Sequence, residues 1–293
     1  MMLDYHILDV FTDRPFAGNP LAVVLGADGL DDGQMLTLAR EFNLSETVFV
    51  QRPADPASTA KLRIFFPTAE IPFAGHPTIG AAVLLAGLRG GLVRVVLEER
   101  AGLVPVTFDG EVAELSAPVL PHLHPGRADA LRVAAALDLA PGSVGFGAHR
   151  PALLAGGPAF LFVPVADLAT LGMARPVEPH WSALMAEGGV DSAWLYAPEG
   201  DGFRARMFSP GAGIPEDPAT GSAAAIFAAQ LLAAGALPEG RSRFRIRQGV
   251  EMGRPSEIGL AVDTAAGAIR AVRIAGRAVG VAEGRIRIPQ REG

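Results

Sequence analysis

At 293 residues and a net charge of −6, the chain is long enough for one large domain or two ordinary ones and lacks the basic footprint of a nucleic-acid binder. It contains no cysteine, which excludes disulfides, thiolate metal sites and cysteine nucleophiles. No basic stretch followed by an apolar run opens the sequence, so no secretory leader is expected and the cytoplasm is the default location.

In chain order, residues 3–11 (LDYHILDVF) alternate as a first strand, and residues 20–25 (PLAVVL) form a second after the turn DRPFAGN. Met35, Leu38 and Phe42 mark one face of a short helix that Asn43 should end. Strands are expected at 47–50 and 60–66. The run after His76 is apolar on every side, and so is 221–236; such a helix is buried in protein or crosses a membrane. The first run falls short of the roughly 20 residues a span needs, and the second is Ala-rich and carries Gln230, so both should be buried and no membrane partner is expected.

Residues 117–127, rich in Pro and His, read as a linker between a first domain of 1–118 and a second of 128–293. His122 and His124 within it, in PHLHP, read as loop rather than as a metal site. Arginines alternating with apolar residues in RFRIRQ (243–248) and GRIRIP (284–289) read as solvated strand faces. No GxGxxG follows a strand and no GxxxxGK[ST] occurs, so no nucleotide cofactor is expected and none of any other kind is implied.

One unusual phrase is written twice. RIFFPTAEIP (63–72) runs into AGHPTIGAAVLLA, and RMFSPGAGIP (206–215) runs into EDPATGSAAAIFAA. Upstream, LSETVFV (44–50) and VDSAWLY (190–196) match at nearly the same offset. A period of about half the chain exceeds the roughly 20–50 residues of a solenoid unit and reads as domain duplication. The expected fold class is α+β: two pseudo-symmetric domains, each a β-barrel-like sheet wrapped around a central buried helix, with a cleft at the seam.

The repeat sets His76 against Asp217, each before a proline and a small-residue helix. Helix starts expose unpaired N–H groups and attract anions, which suits a carboxylate-bearing ligand. Asp217 before Pro218 has a plain structural reading as an N-cap. Histidine is a poor N-cap, so His76 is the stronger functional candidate. Ser222 either fills a tight helix–strand contact or turns its hydroxyl or N–H toward a ligand. Glu46 reads in isolation as a solvated carboxylate. Against that, its repeat partner is the non-acidic Ser192, it leads toward the expected cleft, and it is the natural acid or base in a chain without thiols. Desolvation would raise such a carboxyl toward neutrality, as proton shuttling requires.

The chain resembles the phenazine-biosynthesis isomerase (PhzF-like) family, which shares the diaminopimelate epimerase fold. The segments that carry the likeness are DVFTDRPFAGNPLAVV, NLSETVFV, RIFFPTAEIPFAGHPTIG, EDPATGSAAA and QGVEMGRPS, in the family's order from residue 9 to 256. The resemblance implies Glu46 as general acid/base, and His76, Asp217 and Ser222 as residues that bind and orient substrate. Backbone N–H groups around Gly75 and Gly221 would hold its carboxylate. It further implies a last strand that crosses back to the first domain, a homodimer, and a cofactor-independent isomerase that shifts a double bond in a small carboxylate-bearing metabolite. Related epimerases use a cysteine pair, which this chain cannot supply. An epimerase or racemase with other acids, and a non-catalytic binder of small acids, stay open beside the isomerase. Phe16, Phe73 and Phe160 are candidate specificity residues.

Overall fold

The structure, a computed structural model, describes residues 2–290; residue 1 and residues 291–293, the outer ends of the two expected domains, lie outside the described residues. The chain divides into two compact units, Met1–Pro118 with Ala275–Gly293, and Val119–Ile274.

The first unit begins with β1 (Met2–Val10), β2 (Asn19–Val24), α1 (Asp32–Phe42), β3 (Glu46–Gln51), β4 (Ala60–Phe65) and the two-residue β5 (Glu70–Ile71). Then come α2 (Gly75–Leu88), β6 (Arg94–Glu99), β7 (Gly102–Asp109) and β8 (Val112–Ser116). β1 pairs antiparallel with β2, β2 parallel with β3, and β3 antiparallel with β4. One edge of β4 is shared: β5 takes Ile64 and Phe65, and β6 takes Ala60 and Lys61 in parallel. β6–β7 and β7–β8 are antiparallel hairpin pairs.

The second unit repeats this plan. It holds β9 (His122–Leu123), α3 (Ala130–Ala136), β10 (Ala152–Ala155), β11 (Ala159–Pro164), α4 (Leu168–Met173), α5 (His180–Gly188), β12 (Ala193–Glu199) and β13 (Gly202–Ser209). β14 (Ile214–Asp217), α6 (Gly221–Ala233), β15 (Gly240–Gln248), β16 (Ser256–Ala265) and β17 (Ala268–Gly276) complete the run. β10–β11 is antiparallel, β11–β12 parallel and β12–β13 antiparallel. β13 shares one edge between β14 and the parallel β15, as β4 does. β15 and β16 pair antiparallel along their length. The last strand, β18 (Ala278–Arg287), belongs to the first unit, where it lies antiparallel on β1.

Residues 117–127 are not wholly linker. Their centre, β9, pairs with Leu154 and Ala155 of β10, and Pro121 and Pro125 confine it to two residues because proline cannot donate to a ladder.

The sheet of the first unit wraps around α2, which touches β1, β2, β3, β6, β8 and β18. Gly80 permits that approach: a Cβ there would stand 2.5 Å from Leu21 Cδ2 and 2.8 Å from Val10 Cγ2. In the second unit α6 touches β9, β10, β11 and β16, with Phe227 packed edge-on against Tyr196 and Phe203. No helix among the described residues is long and apolar enough to cross a membrane.

The written repeat also produces matching side-chain locks. Arg63 on β4 donates Nε and Nη2 to both carboxylate oxygens of Glu70 on β5, at 2.8 and 2.7 Å. Arg206 on β13 does the same to Glu216 on β14, at 2.8 and 2.9 Å. Each guanidinium also lies over a phenylalanine two residues on, Phe65 or Phe208. Each fork ties down the short strand that leads to the buried helix.

Candidate active site

α1, α3 and α4 begin with an aspartate whose side chain accepts from the first turn: Asp31, Asp129 and Asp167. The two buried helices do not. α2 starts after Ala74 and α6 after Thr220, both without a side-chain cap, so the N–H groups of Gly75 and His76, and of Gly221 and Ser222, face no helical acceptor. Gly75, His76 and Gly221 are buried, and Ser222 is half-buried. Donors left uncapped at two buried starts suit an anion.

These boundaries correct the expected match. His76 is the second residue of α2, within its first turn, and Pro77 follows where a missing N–H breaks no helical bond. Asp217 is not an N-cap. It ends β14, held extended before Pro218, and α6 begins only at Gly221. The residue of the second unit that holds the place of His76 is Ser222.

Glu46 opens β3, opposite Leu21 of β2, and is 7 % exposed, so the solvated reading does not hold. Its Oε2 stands 3.4 Å from His76 Nδ1. Burial pushes His76 down to about 3, against the Pro20 carbonyl, which favours its proton. The contact is therefore between a carboxyl group and a neutral imidazole rather than an ion pair at neutral pH. His76 Nε2 is buried with no hydrogen-bond partner among the described residues. A buried carboxyl beside a neutral imidazole is an arrangement suited to acid–base chemistry.

In the second unit Asp217 Oδ2 accepts from the Thr220 hydroxyl at 2.5 Å. The fully buried Gln248 organises this corner. Its Oε1 accepts from Trp194 Nε1–H at 3.1 Å and from Thr220 N–H at 3.3 Å, two groups that can only donate. That fixes the amide, whose Nε2 donates to the Asp217 carbonyl at 2.8 Å and to Thr220 Oγ1 at 2.9 Å. Gln248 opens the QGVEMGRPS segment, which the sequence singled out without giving this residue a role. Its burial at a strand end, invisible in the sequence, is what assigns one. The hydroxyl of Ser222 makes no hydrogen bond among the described residues.

Of the expected specificity residues, Phe160 is a core residue, 4 % exposed and packed edge-on against Phe162. Phe73 is half-buried, just ahead of α2. Phe16 is 76 % exposed in a left-handed backbone (φ 65°), its N–H donating to the buried Asp9 carboxylate at 2.6 Å. An exposed aromatic in that conformation is held there by its surroundings rather than by its own preference. His122 and His124 join no cluster of potential metal ligands among the described residues.

Two α+β units built on one plan, with an uncapped buried helix in each, define the class, and comparison with known proteins gives the same answer. Residues 8–284 match the model of the family described as phenazine biosynthesis-like protein, and the chain belongs to that family. It is 44 % identical to an uncharacterized isomerase of Mesorhizobium japonicum, over 97 % of this chain and 98 % of that one. It is 37 % identical to the trans-2,3-dihydro-3-hydroxyanthranilate isomerase of Pseudomonas aeruginosa, over 96 % and 98 %. The crystal structure of a PhzF-family protein from Bacillus anthracis superposes with a TM-score of 0.87 at 24 % identity, covering 98 % of this chain and all of that one. A hydroxyproline epimerase from Agrobacterium vitis, at 17 % identity and a TM-score of 0.64 over 97 % and 92 %, shares the fold alone. The enzyme class of this chain is isomerase.

Proposed function

We propose that the chain shifts a double bond in a small, carboxylate-bearing metabolite by moving one proton between two carbons. Glu46 takes the proton from the first carbon, the electron pair left behind forms the new double bond, and the electron pair of the old double bond takes the proton back from Glu46 at the second carbon. The account balances without an oxidant, reductant or bound cofactor. The observation that carries it is the buried Glu46 carboxyl 3.4 Å from an imidazole held neutral. A neutral His76 accepts or donates a hydrogen bond as Glu46 changes protonation, without adding a second charge to a desolvated place.

In this reading the uncapped N–H groups at Gly75 and Gly221 hold substrate carboxylate, and His76, Asp217 and Ser222 orient the rest. Asp217 is kept in place by Thr220 and Gln248. The relative from Pseudomonas aeruginosa acts on trans-2,3-dihydro-3-hydroxyanthranilate by its name, which makes that compound the first substrate to offer. The resemblance also motivates a homodimer, which sedimentation velocity tests directly. Proton NMR in D₂O tests the chemistry: deuterium entering substrate carbon with wild-type protein and not with Glu46→Gln supports it. Stereoinversion with exchange at a single carbon would assign an epimerase instead.

A further inference from the structure

Glu99, the last residue of β6, is a buried carboxyl outside the Glu46–His76 pair. Its Oε1 lies 2.7 Å from the Thr78 hydroxyl, and that same hydroxyl lies 2.7 Å from the carbonyl of Ala74. A threonine hydroxyl carries one hydrogen. With Glu99 ionised, two acceptors compete for it and one short contact contains no hydrogen. With Glu99 protonated, the carboxyl O–H donates to Thr78 Oγ1, Thr78 donates to Ala74, and both contacts are satisfied. Oε2 agrees, because it is buried without a hydrogen bond among the described residues. An uncharged carbonyl oxygen bears that at far lower cost than a carboxylate oxygen.

The surroundings are balanced without a charge on Glu99. It faces a cavity of about 500 Å³ whose charged walls are Lys61 and Arg63 of β4, Arg100, Asp32 of α1, Glu70 of β5 and Glu98. Those are three cations and three anions: Arg63 forks Glu70 and reaches Asp32, Arg100 donates to Glu70, and Lys61 is a charge neighbour of Glu98. Glu98 takes the N–H groups of Ala54 and Asp55. Burial pushes the Glu99 carboxyl up to about 8, against the Thr78 contact, which favours ionisation.

Ala74 precedes the first residue of α2, and His76 lies between it and Thr78. We propose that Glu99, as a neutral acid, is a positioning residue: relayed by Thr78 to the Ala74 carbonyl, its proton fixes the start of α2 and with it the place of His76, and its ionisation releases that start. The catalytic meaning of this placement rests on the function proposed above, but the placement can be read without substrate.

The experiment follows the ring signals of His76 by ¹H–¹³C NMR in the full chain from pH 6.5 to 9.5, assigned with His76→Asn. The imidazole is neutral throughout that range, so a step reports a neighbour. Wild type should show one step near pH 8. Glu99→Gln, whose amide donates to Thr78 and cannot ionise, should show none. Thr78→Val should lose the step although Glu99 still titrates, and Thr78→Ser should keep it; this pair carries the test if Glu99→Gln does not fold. Absence of the step in wild type overturns the proposal, and so does its persistence in Glu99→Gln or Thr78→Val. Turnover over the same range separates the two readings. A fall of about tenfold per pH unit above pH 8, absent in Glu99→Gln, joins them. An NMR step in a protein with no turnover supports the positioning and counts against the isomerase.

Discussion

Glu46 and His76 come from different elements, the first residue of β3 and the second of α2, and meet 3.4 Å apart with His76 fully buried and neutral. The consequence is a pH dependence of stability with a definite sign. A histidine depressed from 6.5 to about 3 binds fewer protons folded than unfolded, so its contribution is complete above about pH 6.5 and is lost as pH falls toward 3. Urea midpoints of wild type and His76→Asn between pH 3.5 and 7 should diverge on acidification, with wild type losing up to about 4 kcal/mol more. Glu99, raised to about 8, slopes the other way between pH 4.5 and 8, so the comparison must be wild type against variant rather than wild type alone.

The arginine forks differ in depth. Arg206 is 8 % exposed and adds three carbonyls at the end of α4, Leu171, Gly172 and Ala174, to its fork with Glu216. Arg63 is half-buried and reaches the exposed Asp32. Arg206→Met should therefore destabilise by about 3–5 kcal/mol, and Arg63→Met by clearly less, as measured by chemical denaturation.

Gln248→Leu strands two buried donors, the Trp194 indole N–H and the Thr220 N–H. At about 1–3 kcal/mol for each unsatisfied group, the loss should be about 2–6 kcal/mol. The variant should also turn over more slowly at temperatures where it stays folded, because Asp217 and Thr220 lose their tether. Unchanged kinetics would separate this corner from the chemistry.

Asp217→Ala tests the corrected boundary of α6. Since Asp217 does not cap the helix, its loss removes, among its contacts, the hydrogen bond with Thr220 and should cost at least about 1–2 kcal/mol. The larger effect should be a raised KM. Thr220→Val, which removes that bond and the one Gln248 Nε2 makes to the Thr220 hydroxyl but leaves the carboxylate, should also destabilise, with a smaller change in KM.

Much of this was legible in the residues. The doubled Arg-x-Phe phrase marks two strands that pair in equivalent register, Arg63 opposite Phe49 and Arg206 opposite Leu195. The two all-apolar runs are the two buried helices, and Asn43 ends α1 in the left-handed conformation expected of it. The misplaced match of His76 with Asp217 came from reading each X-Pro pair as a helix start. Where a helix begins depends on how far the preceding strand runs: β5 stops at Ile71, whereas β14 continues through Asp217 because Gln248 holds it. Contacts across such distances in sequence, including Gln248 with Trp194 and Glu99 with Thr78, leave no local pattern to read. The two-residue β9 was hidden by its flanking prolines, which in isolation signal only a loop.

Glu46→Gln is the most direct test of the account. The amide preserves size and contact with His76 but cannot take a proton from carbon. With trans-2,3-dihydro-3-hydroxyanthranilate, and then a panel of small carboxylic acids, deuterium incorporation from D₂O should proceed with wild type. It should fall by at least about 10²–10⁴-fold in a Glu46→Gln protein that keeps its fold and its ligand binding. Wild-type exchange in the variant would contradict the role given to Glu46.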